Sequence, residues 1–252
     1  MKNVFITGAA SGIGLATARR YAGLGWRVGL YDINREALAQ VMADELFAQS
    51  HSGYCDVTDR DSVAAALADF AGGPGGKISL VVNNAGVLSA GPFNDTDADA
   101  HDLMIDVNVR GFTHVAQLAF PYLEGAPDAC LVNLCSASSI HGIPNLAVYS
   151  ASKFYVNAIT QALHIEWQPF GIRVSCVKPL LVDTPMAHDV QANTNGKGSI
   201  NLTPEDIAAA IERAATGSRV SYVVGSAARW WALLDKWLPE GMRIALTRRL
   251  IT

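Results

Sequence analysis

Seven short apolar runs punctuate the chain: NVFIT, RVGLYD, SGYCDV, ISLVVN, ACLVNLC, IRVSCVK and SYVVG. Most are continuous rather than alternating, which marks strands buried on both faces of a parallel sheet. Between them, segments 12–24, 35–48, 59–70, 97–120, 147–168 and 204–215 have helical length. The last is announced by Thr203-Pro204-Glu205, an N-cap residue followed by proline at the first helical position. Strand and helix alternate throughout, so the pattern predicts an α/β fold: a doubly wound, parallel seven-stranded sheet with helices on both faces. At 252 residues the chain has the length of one such domain, 1–252.

Composition narrows the classes of function. The net formal charge of −4 offers no basic surplus for a phosphate backbone, so nucleic acid is not an expected partner. Cys55, Cys130, Cys135 and Cys176 form no CxxC pair and read as buried thiols. MKNVFITG leads straight into a glycine-rich turn, leaving no room for a signal peptide, and no apolar run reaches the roughly 20 residues of a membrane helix. A reducing, soluble, cytoplasmic setting is expected, without an integral membrane segment. GGPGG at 72–76, followed by Lys77, imitates a P-loop, but Ala71 and Ile78 stand where a glycine and a Ser or Thr are needed.

The turn TGAASGIG, Thr7 to Gly14, follows a strand and opens a helix, the setting in which unpaired N–H groups meet a phosphate. The next strand ends at Asp32, about 20 residues past the last glycine, where a carboxylate accepts hydrogen bonds from an adenosine ribose. That carboxylate also repels a 2′-phosphate, so the expected cofactor is NAD, although Arg35 lies close enough to reach a phosphate. The spacing G-x-x-x-G-x-G resembles the turn of the short-chain dehydrogenase/reductase family, whose other blocks recur in order: Asp56-Val57, Asn83-Asn84-Ala85-Gly86, Asn108, Ser136 and Tyr149-Ser150-Ala151-Ser152-Lys153. The resemblance covers residues 3 to about 186 and implies a Rossmann fold. It implies that Gly8, Ser11, Gly12, Ile13 and Gly14 cradle the cofactor, that Asp56 and Val57 flank its adenine, and that Asn84, Ala85 and Gly86 line it near a ribose.

Tyr149 and Lys153 share one face of a helical segment, YSASKFYVNAITQALHIEW. A tyrosine with an ordinary pKa of about 10 needs a neighbouring positive charge to exchange a proton near neutrality, and Lys153 is placed to provide it. Ser136 ends a buried strand, where its hydroxyl can hold a substrate oxygen. Asn108 sits inside the expected helix 97–120, an unfavourable place unless its amide has a task. The resemblance implies that Tyr149 is the acid/base between a secondary alcohol and a ketone. It gives Ser136 the task of orienting the oxygen, Lys153 that of holding the nicotinamide ribose, and Asn108 that of keeping a relay water. The same fold without turnover would be a nucleotide sensor, but that needs none of these side chains. A serine hydrolase is excluded because no G-x-S-x-G elbow surrounds Ser136.

The family's Pro-Gly after the sixth strand is here Pro179-Leu180, so this loop is expected to follow another path, with Val182 and Thr184 as candidates for cofactor contacts. Residues 187–202 have the polar, Gly- and Asn-rich profile of a substrate lid. Leu88, His141, Asn145, Met186 and His188 are candidates for the substrate wall, with His141 and Met186 foremost, and no metal set is expected. The resemblance implies a homo-oligomer, dimer or tetramer. Residues 226–252 depart from the family: Trp230, Leu233, Leu234 and Trp237 recur at helical spacing among basic residues. A helix packed on the domain or across a dimer is favoured there over contact with a membrane surface or a lipid substrate.

Overall fold

The computed structural model describes residues 2–73, 75–188 and 200–251. Side chains that alternate along each strand sort its core into two layers. In β1 (Asn3–Thr7), Val4 and Ile6 point to one face of the sheet and Phe5 to the other, all three fully buried. The division continues through β2 (Arg27–Asp32), β4 (Leu80–Asn83), β5 (Cys130–Leu134) and β6 (Arg173–Pro179). Leu30, Val82, Val132 and Val177 join the first layer; Tyr31, Val81, Leu131 and Val174 join the second. With β3 (His51–Tyr54) and β7 (Ser221–Val224) at the edges, the strand order is β3-β2-β1-β4-β5-β6-β7 and every pair is parallel. The doubly wound seven-stranded sheet expected from the apolar runs is present.

Helices α1 (Gly12–Gly23), α2 (Arg35–Met42) and α7 (Pro204–Thr216) cover the first layer with Tyr21, Leu38 and Ile211. On the other face α3 (Arg60–Ala71) and α5 (Phe112–Leu123) bring Leu67, Phe70, Val115 and Leu123, while α6 (Ala147–Glu166) buries Val156 against Phe112. The start of α7 is a full capping box: Thr203 Oγ1 accepts from Asp206 N, and Asp206 Oδ2 accepts from Thr203 N.

Three segments differ from the expected boundaries. Helix 35–48 ends at Met42, and a separate 3₁₀ turn at Glu45–Phe47 begins where Asp44 accepts from Leu46 N. The third strand stops at Tyr54, because Asp56 accepts from both Thr58 N and Thr58 Oγ1 and folds the chain into a turn. Segment 97–120 is not one regular helix but α4 (Ala98–Ile105), a π-helical turn at Asp106–Gly111, and α5. The C-terminal segment forms two helices, α8 (Ser226–Trp237) and α9 (Glu240–Ile251), separated where Pro239 keeps Leu238 extended.

Sheet and helix meet closely at Gly29, where an added Cβ would stand 2.6 Å from the Phe70 ring. Gly29→Ala is expected to destabilise the fold by about 1–3 kcal/mol through overpacking, read as a lower urea midpoint at unchanged slope.

Candidate active site

The turn between β1 and α1 is shaped by glycines. Gly8 (φ +64°) and Gly12 (φ +51°) are left-handed, and a Cβ on Gly14 would lie 2.0 Å from the Gly8 carbonyl oxygen. Ser11 occupies the N-cap of α1 without a side-chain capping bond, and Leu15 N to Ser11 O (3.1 Å) begins the helix ladder. The N–H groups ahead of it, at the positive end of α1, are therefore left to an anion in the cleft. Thr184 closes over this turn, with its Cγ2 3.3 Å from where a Gly12 Cβ would stand.

One strand away, Asp32 is fixed by two backbone donors, Ala10 N to Oδ2 (2.9 Å) and Asn34 N to Oδ1 (2.9 Å). Each oxygen keeps a lone pair for a ligand hydroxyl. Arg35 does not turn toward the cleft; its guanidinium stacks on the Tyr54 ring, 4.2 Å from the centroid. Thr7, fully buried, ties this side of the site to the other. Its Oγ1 accepts from Asn84 N (3.0 Å) and Ala85 N (3.1 Å), while Asn84 Nδ2 donates to the carbonyls of Thr7 (2.8 Å) and Gly8 (3.0 Å).

The polar cluster lies beyond β4 and β5. Ser136 caps a 3₁₀ turn, accepting from Ser138 N at 3.2 Å. Tyr149 stands in the first turn of α6 and Lys153 one turn later, and the lysine Nζ lies 5.5 Å from the centre of the tyrosine ring. The lysine is buried and donates to the Leu134 carbonyl (3.1 Å); burial holds its pKa below the ordinary lysine value. The expected acidification of Tyr149 by Lys153 is absent from this arrangement. The ammonium makes no hydrogen bond to the hydroxyl, and the protein around the half-buried phenol withholds water and pushes its pKa up to about 12, with only the Ser136 hydroxyl pulling it down.

Asn108 sits in the π-helical turn rather than in a regular helix, so its amide is displaced toward the cleft floor. Its Oδ1 accepts from Val87 N (2.9 Å), and its Nδ2 donates to Val87 O (2.8 Å) and Ser152 Oγ (3.2 Å). The amide thus fixes the backbone beyond Gly86 against α6.

A single cleft of about 1030 Å³ gathers these parts. Its walls include Gly8, Ser11, Gly12, Ile13, Asp32 and, on the far side, Ser136, Tyr149 and Lys153. Asp56, Val57, Asn84, Ala85, Gly86, Val182 and Thr184 also line it, as do Leu88, His141, Asn145 and Met186. Gly14 and Asn108 stand behind the wall. His188 does not belong to it; the ring pairs with Asp183 (2.8 Å) at the exposed surface. The expected lid at 187–202 falls for the most part, at 189–199, outside the described residues. Leu180 has no left-handed φ, since Asp128 and Asn145 are the only non-glycine residues with positive φ among those described, and its N–H continues the sheet toward Val224 O (3.4 Å).

Sequence reading missed Thr7 as a pin, for which a polar residue ending a wholly apolar strand was the available signal. It also missed Trp231 and Thr247, cleft residues from the end of the chain. Ligand pockets run to roughly 300–1,000 Å³, and this cleft stands at the upper end of that range. A glycine turn with free N–H groups, a carboxylate with free lone pairs and a polar cluster in one cleft are features that suit a nicotinamide dinucleotide.

Comparison with known proteins agrees. Residues 2–195 match the family model described as short chain dehydrogenase. An oxidoreductase of Staphylococcus epidermidis is 34% identical over 219 residues, 85% of this chain and 91% of the relative. A D-threitol dehydrogenase of Mycolicibacterium smegmatis is 33% identical, covering 81% of this chain and 78% of its own. Among solved structures, a short chain dehydrogenase/reductase of Burkholderia phymatum in complex with NAD superposes with a TM-score of 0.84 at 25% identity, over 97% of this chain and 94% of that one. A 3-ketoacyl-(acyl-carrier-protein) reductase of Brucella melitensis complexed with NADH gives 0.79 at 28% identity, over 88% and 96%.

In the ligand-free protein the phenol of Tyr149 is expected to stay neutral through the whole neutral and mildly alkaline range. The ultraviolet difference between wild type and Tyr149→Phe should show phenolate appearing with a midpoint near 12; a midpoint below the ordinary tyrosine value would contradict the geometry.

Proposed function

The chain belongs to the short-chain dehydrogenase/reductase family of oxidoreductases acting on CH–OH groups, and we propose that it interconverts a secondary alcohol and a ketone on a mostly apolar small molecule with NAD(H). The observation that carries this reading is that Ser136, Tyr149 and Lys153 share one cleft with the glycine turn and Asp32. When bound, the nicotinamide supplies the hydride acceptor or donor for the reacting carbon. Tyr149 gives the proton to, or takes it from, the substrate oxygen. In the ketone-reducing direction it is the acid, and in the oxidising direction the base. Ser136 orients the same oxygen. Lys153 spends one N–H on Leu134 and offers its others to a ribose diol. Asn108, locked on Val87, fixes the cleft floor beside the lysine, where the relay water of the family would be kept.

Specificity follows from the two ends of the cleft. Asp32 disfavours a 2′-phosphate, and Arg35, engaged with Tyr54, does not compensate. The other end is walled by Ile140, Ile143, Leu146, Leu181 and Trp231. A polyol, the substrate class in the name of the Mycolicibacterium relative, would leave hydroxyls unpaired against that wall. Exposed Ile105 on α4 with Phe154 and Ile165 on α6 supports assembly into a homo-oligomer through those helices, and four buried free cysteines suit a cytoplasmic setting.

NADH formation over secondary alcohols of graded size and polarity tests the substrate class, with bulky apolar alcohols expected to exceed polyols. Tyr149→Phe should lower kcat by about 10²–10⁴-fold while NADH affinity stays within a few fold; full activity would remove Tyr149 from the chemistry. Asp32→Ala should shift the NAD to NADP ratio of kcat/KM toward NADP by about tenfold or more, the loss of one charge repulsion.

A further inference from the structure

Helix α8 carries its apolar stripe on the wrong side for a domain helix. Trp230, Leu233, Leu234 and Trp237 follow one another at the spacing of a single helical face, and all four are exposed, Trp230 at 66% and Trp237 at 81%. The opposite side of the helix meets the domain instead, with Ala228 buried and Trp231 half-buried. On α9, Met242 is exposed and Ile244 is half-exposed beside His141 and Pro144, and Arg243 pairs with Asp235 (3.1 Å), tying the two helices into one hairpin. Within 226–252, five basic residues (Arg229, Lys236, Arg243, Arg248 and Arg249) stand against Asp235 and Glu240, in a chain whose net formal charge is −4.

We propose that the outer face of this hairpin docks on an anionic lipid bilayer, lying in its interface rather than crossing it. At 12 residues each, both helices fall short of the roughly 20 needed to span. Exposed indole rings in a segment with a basic surplus match the boundary between headgroup and acyl chain. A second copy of the chain is the less suitable occupant: a two-fold contact sets a patch against itself and would oppose like charges. The inner side of the same hairpin, through Ala227, Ala228, Trp231 and Thr247, is a wall of the substrate cleft. An apolar substrate dissolved in the bilayer would therefore meet the cleft across about 10 Å, one helix diameter. That last step rests on the reaction proposed above; the docking itself does not.

Flotation of the full chain with vesicles of phosphatidylcholine and phosphatidylglycerol tests it. The protein is expected to float with them, to be released by high salt, and to bind pure phosphatidylcholine more weakly. The Trp230→Ser/Trp237→Ser double variant should lose about tenfold or more of the vesicle partitioning and keep its turnover of a water-soluble ketone within twofold. If turnover is absent in both proteins while flotation behaves as described, the reaction fails and the docking stands. Wild-type protein that stays with the soluble fraction, or partitioning indifferent to the double substitution, overturns the docking. So does self-association that the double variant abolishes without any vesicle binding.

Discussion

The site depends on how closely β1 and β4 are stitched together at their carboxyl ends. Here the strand order reverses, so the helices that follow the two strands leave to opposite faces and open a crevice. Thr7 and Asn84 close its floor with four hydrogen bonds, two accepted by the threonine hydroxyl and two donated by the asparagine amide. Removing one shared buried acceptor would leave two N–H groups unpaired, at about 1–3 kcal/mol each. The stitch holds the Gly8 turn against Ala85 so closely that an added Cβ would sit 3.0 Å from the Ala85 Cα. Glycine there is a consequence of the closeness and not merely a tolerance of the turn.

The same closeness governs the electrostatics. Lys153 is buried behind the Gly86 backbone with the Leu134 carbonyl as its hydrogen-bond acceptor. A depressed lysine pKa means that the folded protein releases that proton at a lower pH than the unfolded chain does, so the buried charge opposes folding until it is lost. Tyr149 moves the other way, because desolvation disfavours its anion. Burial thus works against the charged form of each group, the ammonium of one and the phenolate of the other.

The parts of the molecule that were legible in the sequence are those in which local pattern and tertiary role coincide. NVFIT and ISLVVN read as buried strands because both faces of each are covered, and Thr203-Pro204 read as a helix start because capping is a local bond. The four-residue interval from Tyr149 to Lys153 put both on one helix face, but not the place of the ammonium, which is held by the carbonyl of Leu134 at the end of β5. The π-helical turn was hidden in DVNVRG for a related reason: its extra residue per turn changes hydrogen-bond partners without changing composition. His188 was misplaced because its partner, Asp183, offers an ion pair at the surface that spacing does not reveal.

The two ends of the cleft are held in different ways, and this bears on what can vary. The cofactor end consists of turns that leave the sheet immediately, so each side chain inherits the rigidity of a buried strand. The other end is assembled from the loop ahead of α6, the segment after β6 and the hairpin of α8 and α9. Its ties run between loops rather than along strands, among them Ile143 N on Ser150 Oγ (3.2 Å), Gly91 N on Asn145 O (2.9 Å), Asp183 N on Leu202 O (2.8 Å) and a bridge between Val182 and Leu202. Asn145 adopts a left-handed backbone to make the corner, at a φ of 63° that asparagine accepts more readily than most residues. Substitutions along this end can therefore reshape the apolar wall while the stitch between Thr7 and Asn84 stays intact.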